Sequence, residues 1–152
     1  SLASSMTDIY NEDVYLELTE GGEYPDNYMV KPVTTDEDRF SAFKSKIYVE
    51  EKGIYPLLSD TDLGDMLRAD LDIMVTTASE NDLKELAKFI KQNKEMVANW
   101  LFAFNHVHKT QEKVIASAMK DYNYVIIPFH DNAEVDLDLR KTYIKVLDEF
   151  IG

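Results

Sequence analysis

The chain has 152 residues, 45% of them apolar and 30% charged, and it contains no cysteine. This is ordinary globular composition, and a chain of this length buries roughly 68–70% of its unfolded surface without a disulfide or metal staple. The missing thiol excludes disulfide frameworks, cysteine zinc sites, iron–sulfur clusters and cysteine nucleophiles, and a reducing compartment is the natural reading.

The formal charge is −13, and its placement says more than its size. Residues 1–80 carry 18 Asp/Glu against 6 Lys/Arg, a net of −12, whereas residues 81–152 carry 11 against 10. The first thirty residues hold seven acids and no base. Such a field repels nucleic-acid phosphates and attracts basic partners, while also keeping a domain soluble. No apolar run approaches the ~20 residues that a membrane helix requires, so a soluble, cytoplasmic protein without a membrane partner is expected. The opening "SLASS" reads as a cloning remnant ahead of a native start at Met6. Residues 6–152 are then expected to form a single globular domain.

In chain order, "DVYLEL" (13–18) alternates polar and apolar residues with the period of a half-buried strand. "TEGGEYPDN" (19–27) is rich in turn formers, and "YMVKPV" (28–33) reads as a second strand with Pro32 at an edge or end. The two are expected to pair as a long-looped hairpin. Within 34–53, Thr35 caps a helix whose first turn is acidic. Phe40, Phe43 and Ile47 form its buried stripe, and Gly53 and Pro56 supply the stop. Leu63, Met66 and Leu67 suggest a short helix, followed by a β-branched strand at 72–78.

Ser79 opens a further helix. From Leu83 to Ala118 a mostly apolar stripe, with Asn93 and Gln111 in it, recurs at alternating spacings of three and four, too long for one helix of a small domain, so a break is expected at "KQNK" (91–94). The flanking positions are too apolar for a two-stranded coiled coil. A central apolar helix around 95–121 follows. "YNYVIIPFHDN" (122–132) reads as a buried strand ended by a turn, and 138–151 as a closing amphipathic helix. The expected architecture is α+β, with a small, mostly antiparallel sheet of three to four strands packed against four to five helices.

Two of the three histidines, His106 and His108, stand two apart beside the only tryptophan. On a helix such a pair subtends about 200° and cannot hold one metal, whereas on a strand it can. The helical phase of the flanks favours the first case. His108 with Glu112, four apart, joined by His130 and Asp131 from a strand end, would make a sensible zinc set and the basis of a metal-dependent hydrolase. "HKT" (108–110) matches half of the His-x-Thr signature of two-histidine phosphoesterases, but the required second copy is missing. "DTDLGD" (60–65) fails the spacing of a calcium loop, and no phosphate-cradling glycine loop or nucleophile elbow exists. The lysines at 84, 88, 91 and 94 read as a solvated helix face.

Without a complete catalytic motif, the reading leans away from an enzyme and requires no cofactor. It favours a protein-binding module, of inhibitor, immunity or assembly type, that contacts a basic protein. The expected surface is acidic and tyrosine-bearing: Tyr15, Glu17, Glu20, Glu23, Tyr24, Asp26 and Tyr28. A self-assembling homo-oligomer with the "MVANWLFAF" face buried between subunits is the third class considered.

Overall fold

The computed structural model describes residues 2–19, 21–52 and 68–128, together with Gly64, Met66, Lys141, Ile144, Lys145 and 147–149. The chain divides into two units, Ser1–Asp65 and Met66–Gly152.

The first unit opens with α1 (Leu2–Tyr10), so residues 2–5 form its first turn, and Ala3 is fully buried. Asn11 ends the helix in the left-handed region, at φ 51°, where Asn is tolerated better than most residues. Then come β1 (Val14–Leu18), β2 (Val30–Pro32), α2 (Asp36–Phe43) and β3 (Tyr48–Glu51). The strands lie in the order β2-β1-β3, with both pairs parallel. One face of β1 presents Val14 and Leu16, both buried, and α1 packs against β1 and β2. The opposite face presents Tyr15 and Glu17 beside Tyr48 and Glu50 of β3, and α2 crosses over it.

The first two strands therefore do not form the expected hairpin. Their connection spans residues 19–29, close to the dozen residues that a parallel return requires and far beyond a tight turn. Gly21 and Gly22 adopt φ of 80° and 130°, which lets the chain leave β1 and double back. Asn27 then fastens the returning chain to α1. Its amide donates to the buried Thr7 hydroxyl at 3.0 Å, and its oxygen accepts from the Met29 backbone at 2.9 Å.

The second unit is built from β4 (Ile73–Thr77), α3 (Glu80–Gln92), β5 (Leu101–Val107), a 3-10 turn (Lys109–Gln111), α4 (Glu112–Ala118) and β6 (Asn123–Pro128). Its strands lie in the order β4-β5-β6, again all parallel. Helices form both crossovers, the usual way to return the chain for a parallel pairing. Leu101, Phe102, Ala103 and Phe104 of the central strand are all buried. Leu86, Phe89 and Ile90 of α3 and Ile115 of α4 are buried as well, and Phe89 meets Trp100 at 5.7 Å between ring centroids. Leu147 is fully buried in a helical stretch.

Three further expectations are corrected. The sheet expected to be mostly antiparallel is, among the described residues, two parallel sheets of three strands. The helix expected over 34–53 stops at Phe43, where Ser45 donates its hydroxyl to the Ala42 carbonyl at 2.6 Å, and "YVEE" pairs as β3. The central helix around 95–121 is replaced by turns, β5 and the short α4. A strand covered on both faces reads as an unbroken apolar run, so "WLFAF" carries none of the alternation that marks a half-exposed strand. Among the described residues no helix is long and apolar enough to cross a membrane.

Candidate functional site

The described face of the first unit is organised by Glu17. In the parallel register Glu17 lies opposite Glu50, a like-charge pairing that costs stability unless each acid is neutralised. Lys52 pairs with Glu50 at 3.0 Å. Arg39, reaching from α2, grips Glu17 with two donors, Nη2 to Oε1 at 2.5 Å and Nε to Oε2 at 3.3 Å. The Tyr48 hydroxyl donates to the same carboxylate. Arg39 holds the Glu17 carboxyl below the usual carboxylate range, against the opposing effect of burial. Burial, reinforced by the bond to Glu17, pushes the Tyr48 phenol up.

The Glu17 side chain is only 14% exposed and already saturated with donors. It pins α2 to the sheet rather than facing outward. Tyr15 is half-buried on the same strand face, and Tyr24 donates its hydroxyl to the Val33 carbonyl at 3.2 Å. Glu23, Asp26 and Tyr28 are exposed, Tyr28 at 86%. Glu20 lies outside the described residues.

The expectation of a buried Phe40–Phe43–Ile47 stripe is overturned: Phe40 is 61% and Phe43 70% exposed, Ile47 is half-buried, and Ala42 is the buried residue of α2. At about 100° per residue, Phe40 falls at the centre of the helix face opposite Ala42, between Asp36 and Glu37. Phe43 lies at its margin, edge-on to Tyr48 with centroids 5.5 Å apart. The nitrogen of Lys44 stands 4.2 Å from the centre of the Phe40 ring. Apolar spacing alone concealed this surface. The signal that could have exposed it is the placement of Asp36 and Glu37 four and three residues before Phe40, on the same side of the helix.

Thr35 caps α2 as expected, and the structure adds a capping box with Asp38. Thr35 accepts from the Asp38 backbone at 3.1 Å, and the Asp38 carboxylate accepts from the backbones of Thr34 and Thr35. Those bonds, led by the one from Thr34, hold its carboxyl below the ordinary value.

In the second unit His106 and His108 stand at the end of a strand instead of inside a helix. His106 has φ 52°, at a register irregularity between β5 and β6 that breaks the strand's alternation. Its backbone donates to the Asn105 side chain at 3.0 Å. His108 precedes the 3-10 turn, and its backbone donates to Gln111 at 3.0 Å. It therefore does not share a helix face with Glu112, which begins α4. His130 and Asp131 lie outside the described residues, and among those described no three His, Asp or Glu side chains converge on a metal position.

The chain matches no protein-family model, no curated protein and no solved structure.

Proposed function

We propose that this protein works by binding a basic protein through its N-terminal unit. The observation that carries this reading is the coincidence of charge and exposed aromatic surface. Residues 1–65 hold 15 acids and 5 bases, a net of −10, and the same unit exposes Tyr28, Phe40 and Phe43. Aromatic rings supply binding energy at low entropic cost, while the surrounding charge selects the partner and speeds its encounter. Glu23, Asp26 and Tyr28 line the exposed part of the loop between β1 and β2, and Asp36 and Glu37 line α2.

The test is capture from lysate of the native source at about 0.05 M and about 0.5 M salt, comparing the natural chain with a Glu23→Lys/Asp26→Lys variant. The expected result is a basic protein retained at low salt, released at high salt and lost by the variant. Retention of that protein by both chains at both salts would overturn the electrostatic reading.

A further inference from the structure

The outward face of α2 combines exposed aromatic rings with acidic side chains on one fixed helix. Phe40 and Phe43 are large, apolar and mostly exposed. They lie beside Asp36 and Glu37 on the same short helix, in a unit with a threefold excess of acids over bases. The helix itself is fixed in place. Its start is closed by the capping box, its middle is tied to β1 by the Arg39–Glu17 pair, and its end meets β3 through Phe43 and Tyr48. A preorganised face loses little freedom when it is covered.

We infer that this face is the docking site for an amphipathic segment of a partner protein, with apolar side chains packing on Phe40 and Phe43 and Lys or Arg side chains meeting the acids around them. The inference rests on the basic-partner reading above and assigns it a place. Charge complementarity sets the occupant's sign: an acidic segment is repelled by the net −10 of the unit, a neutral one gains nothing from it, and a basic one is drawn to it. The Phe40 ring is itself a seat for a cation, because Lys44 already occupies that position from within the chain. An incoming Lys or Arg makes the same contact by displacing it.

The test uses three synthetic helical peptides: one with leucine on one face and lysine on the other, one with the leucines replaced by glutamine, and one with the lysines replaced by glutamate. Titration calorimetry on the full chain should show binding of the leucine/lysine peptide and binding at least about tenfold weaker for the other two. Phe40→Ala should weaken the leucine/lysine peptide about tenfold, and Glu37→Lys several-fold. Phe40 is a solvent-facing side chain, so its truncation leaves the fold intact, which an unchanged circular dichroism melt confirms. Amide shifts on binding should concentrate at residues 36–44.

Equal binding by the natural chain and Phe40→Ala would overturn this placement while leaving the basic-partner reading standing. Failure of both lysine-bearing peptides to bind would overturn both. If sedimentation shows a dimer that Phe40→Ala dissociates, the occupant is a second copy of this chain, and the inference is likewise overturned.

Discussion

Asp72 precedes β4, and burial pushes its carboxyl up to about 6 from an ordinary value of 3.8. Between those two values the native state binds more protons than the unfolded one, so this group makes stability fall as pH rises from about 4 to about 6. Above the window both states are ionised and the full cost is present. Below it both are protonated and the cost disappears. Asp72→Asn removes the charge and leaves the backbone carbonyl, which accepts a 2.9 Å bond from Leu101. The variant should gain about 1 kcal/mol at pH 7, a figure discounted for the water the side chain still reaches. In a chain of this size that is a rise of ~2–4 °C in melting temperature. The gain should vanish near pH 3.5, and thermal melts at the two pH values check it. An unchanged melt at neutral pH would mean that burial of Asp72 costs nothing. Glu17 acts with the opposite sign. Its folded carboxyl is held low by Arg39, so its contribution is present above the unfolded value and lost as pH falls through the folded one. Only a variant confined to Asp72 separates the two.

The secondary elements that could be read from the sequence are those with local causes. Ser79 caps α3 because its hydroxyl oxygen accepts from the Asp82 backbone at 3.2 Å, and Asp82 in turn receives the Thr77 hydroxyl from the end of β4. Ser79→Ala should cost about 1 kcal/mol, measured as a fall in the urea midpoint with unchanged slope. Thr35 and the strands Ile73–Thr77 and Asn123–Pro128 belong to the same local category. The direction of pairing does not, because an eleven-residue connection rich in glycine is compatible with either a loose hairpin or a parallel return. The parallel return is fastened by a contact distant in sequence, Asn27 reaching a buried threonine twenty positions earlier. Residues 100–107 failed for a related reason. Their spacing satisfies a helix, but the run from Leu101 to Phe104 is apolar because β5 lies between two neighbouring strands with both faces covered. Of the candidate surface, the acidic character of the N-terminal third was visible, and so was the exposed pair Glu23 and Asp26. The role of Glu17 was not, since its partners Arg39 and Tyr48 lie 22 and 31 residues away. Nor was the exposure of Phe40, since a stripe of apolar spacing does not say which side of a short helix faces the sheet.

At the scale of the whole molecule, charge should act on stability and on binding with opposite signs. The folded chain holds 29 acids against 16 bases, and folding brings the unpaired acids closer together. The exposed pairs that oppose this, such as Lys84 with Glu80 at 2.9 Å or Arg39 with Asp36 at 2.8 Å, are each worth little in water. Raising the salt from about 0.01 M to about 0.15 M shortens the screening length from ~30 Å to ~8 Å. Repulsion among distant acids is then suppressed, while the half-buried Arg39–Glu17 pair is screened much less. Melting temperature should therefore rise with sodium chloride over this range. Affinity for the leucine/lysine peptide should fall over the same range, because the attraction that recruits it is screened in the same way. A melting temperature that instead fell with salt would mean that local ion pairs outweigh net repulsion. The excess of acids would then be well compensated within the fold, and the field at α2 too weak to select a basic partner. Measuring both slopes on one preparation distinguishes an acidic surface that attracts a partner from one that only keeps the chain in solution: both surfaces stabilise with salt, but only the first loses a ligand as it does so.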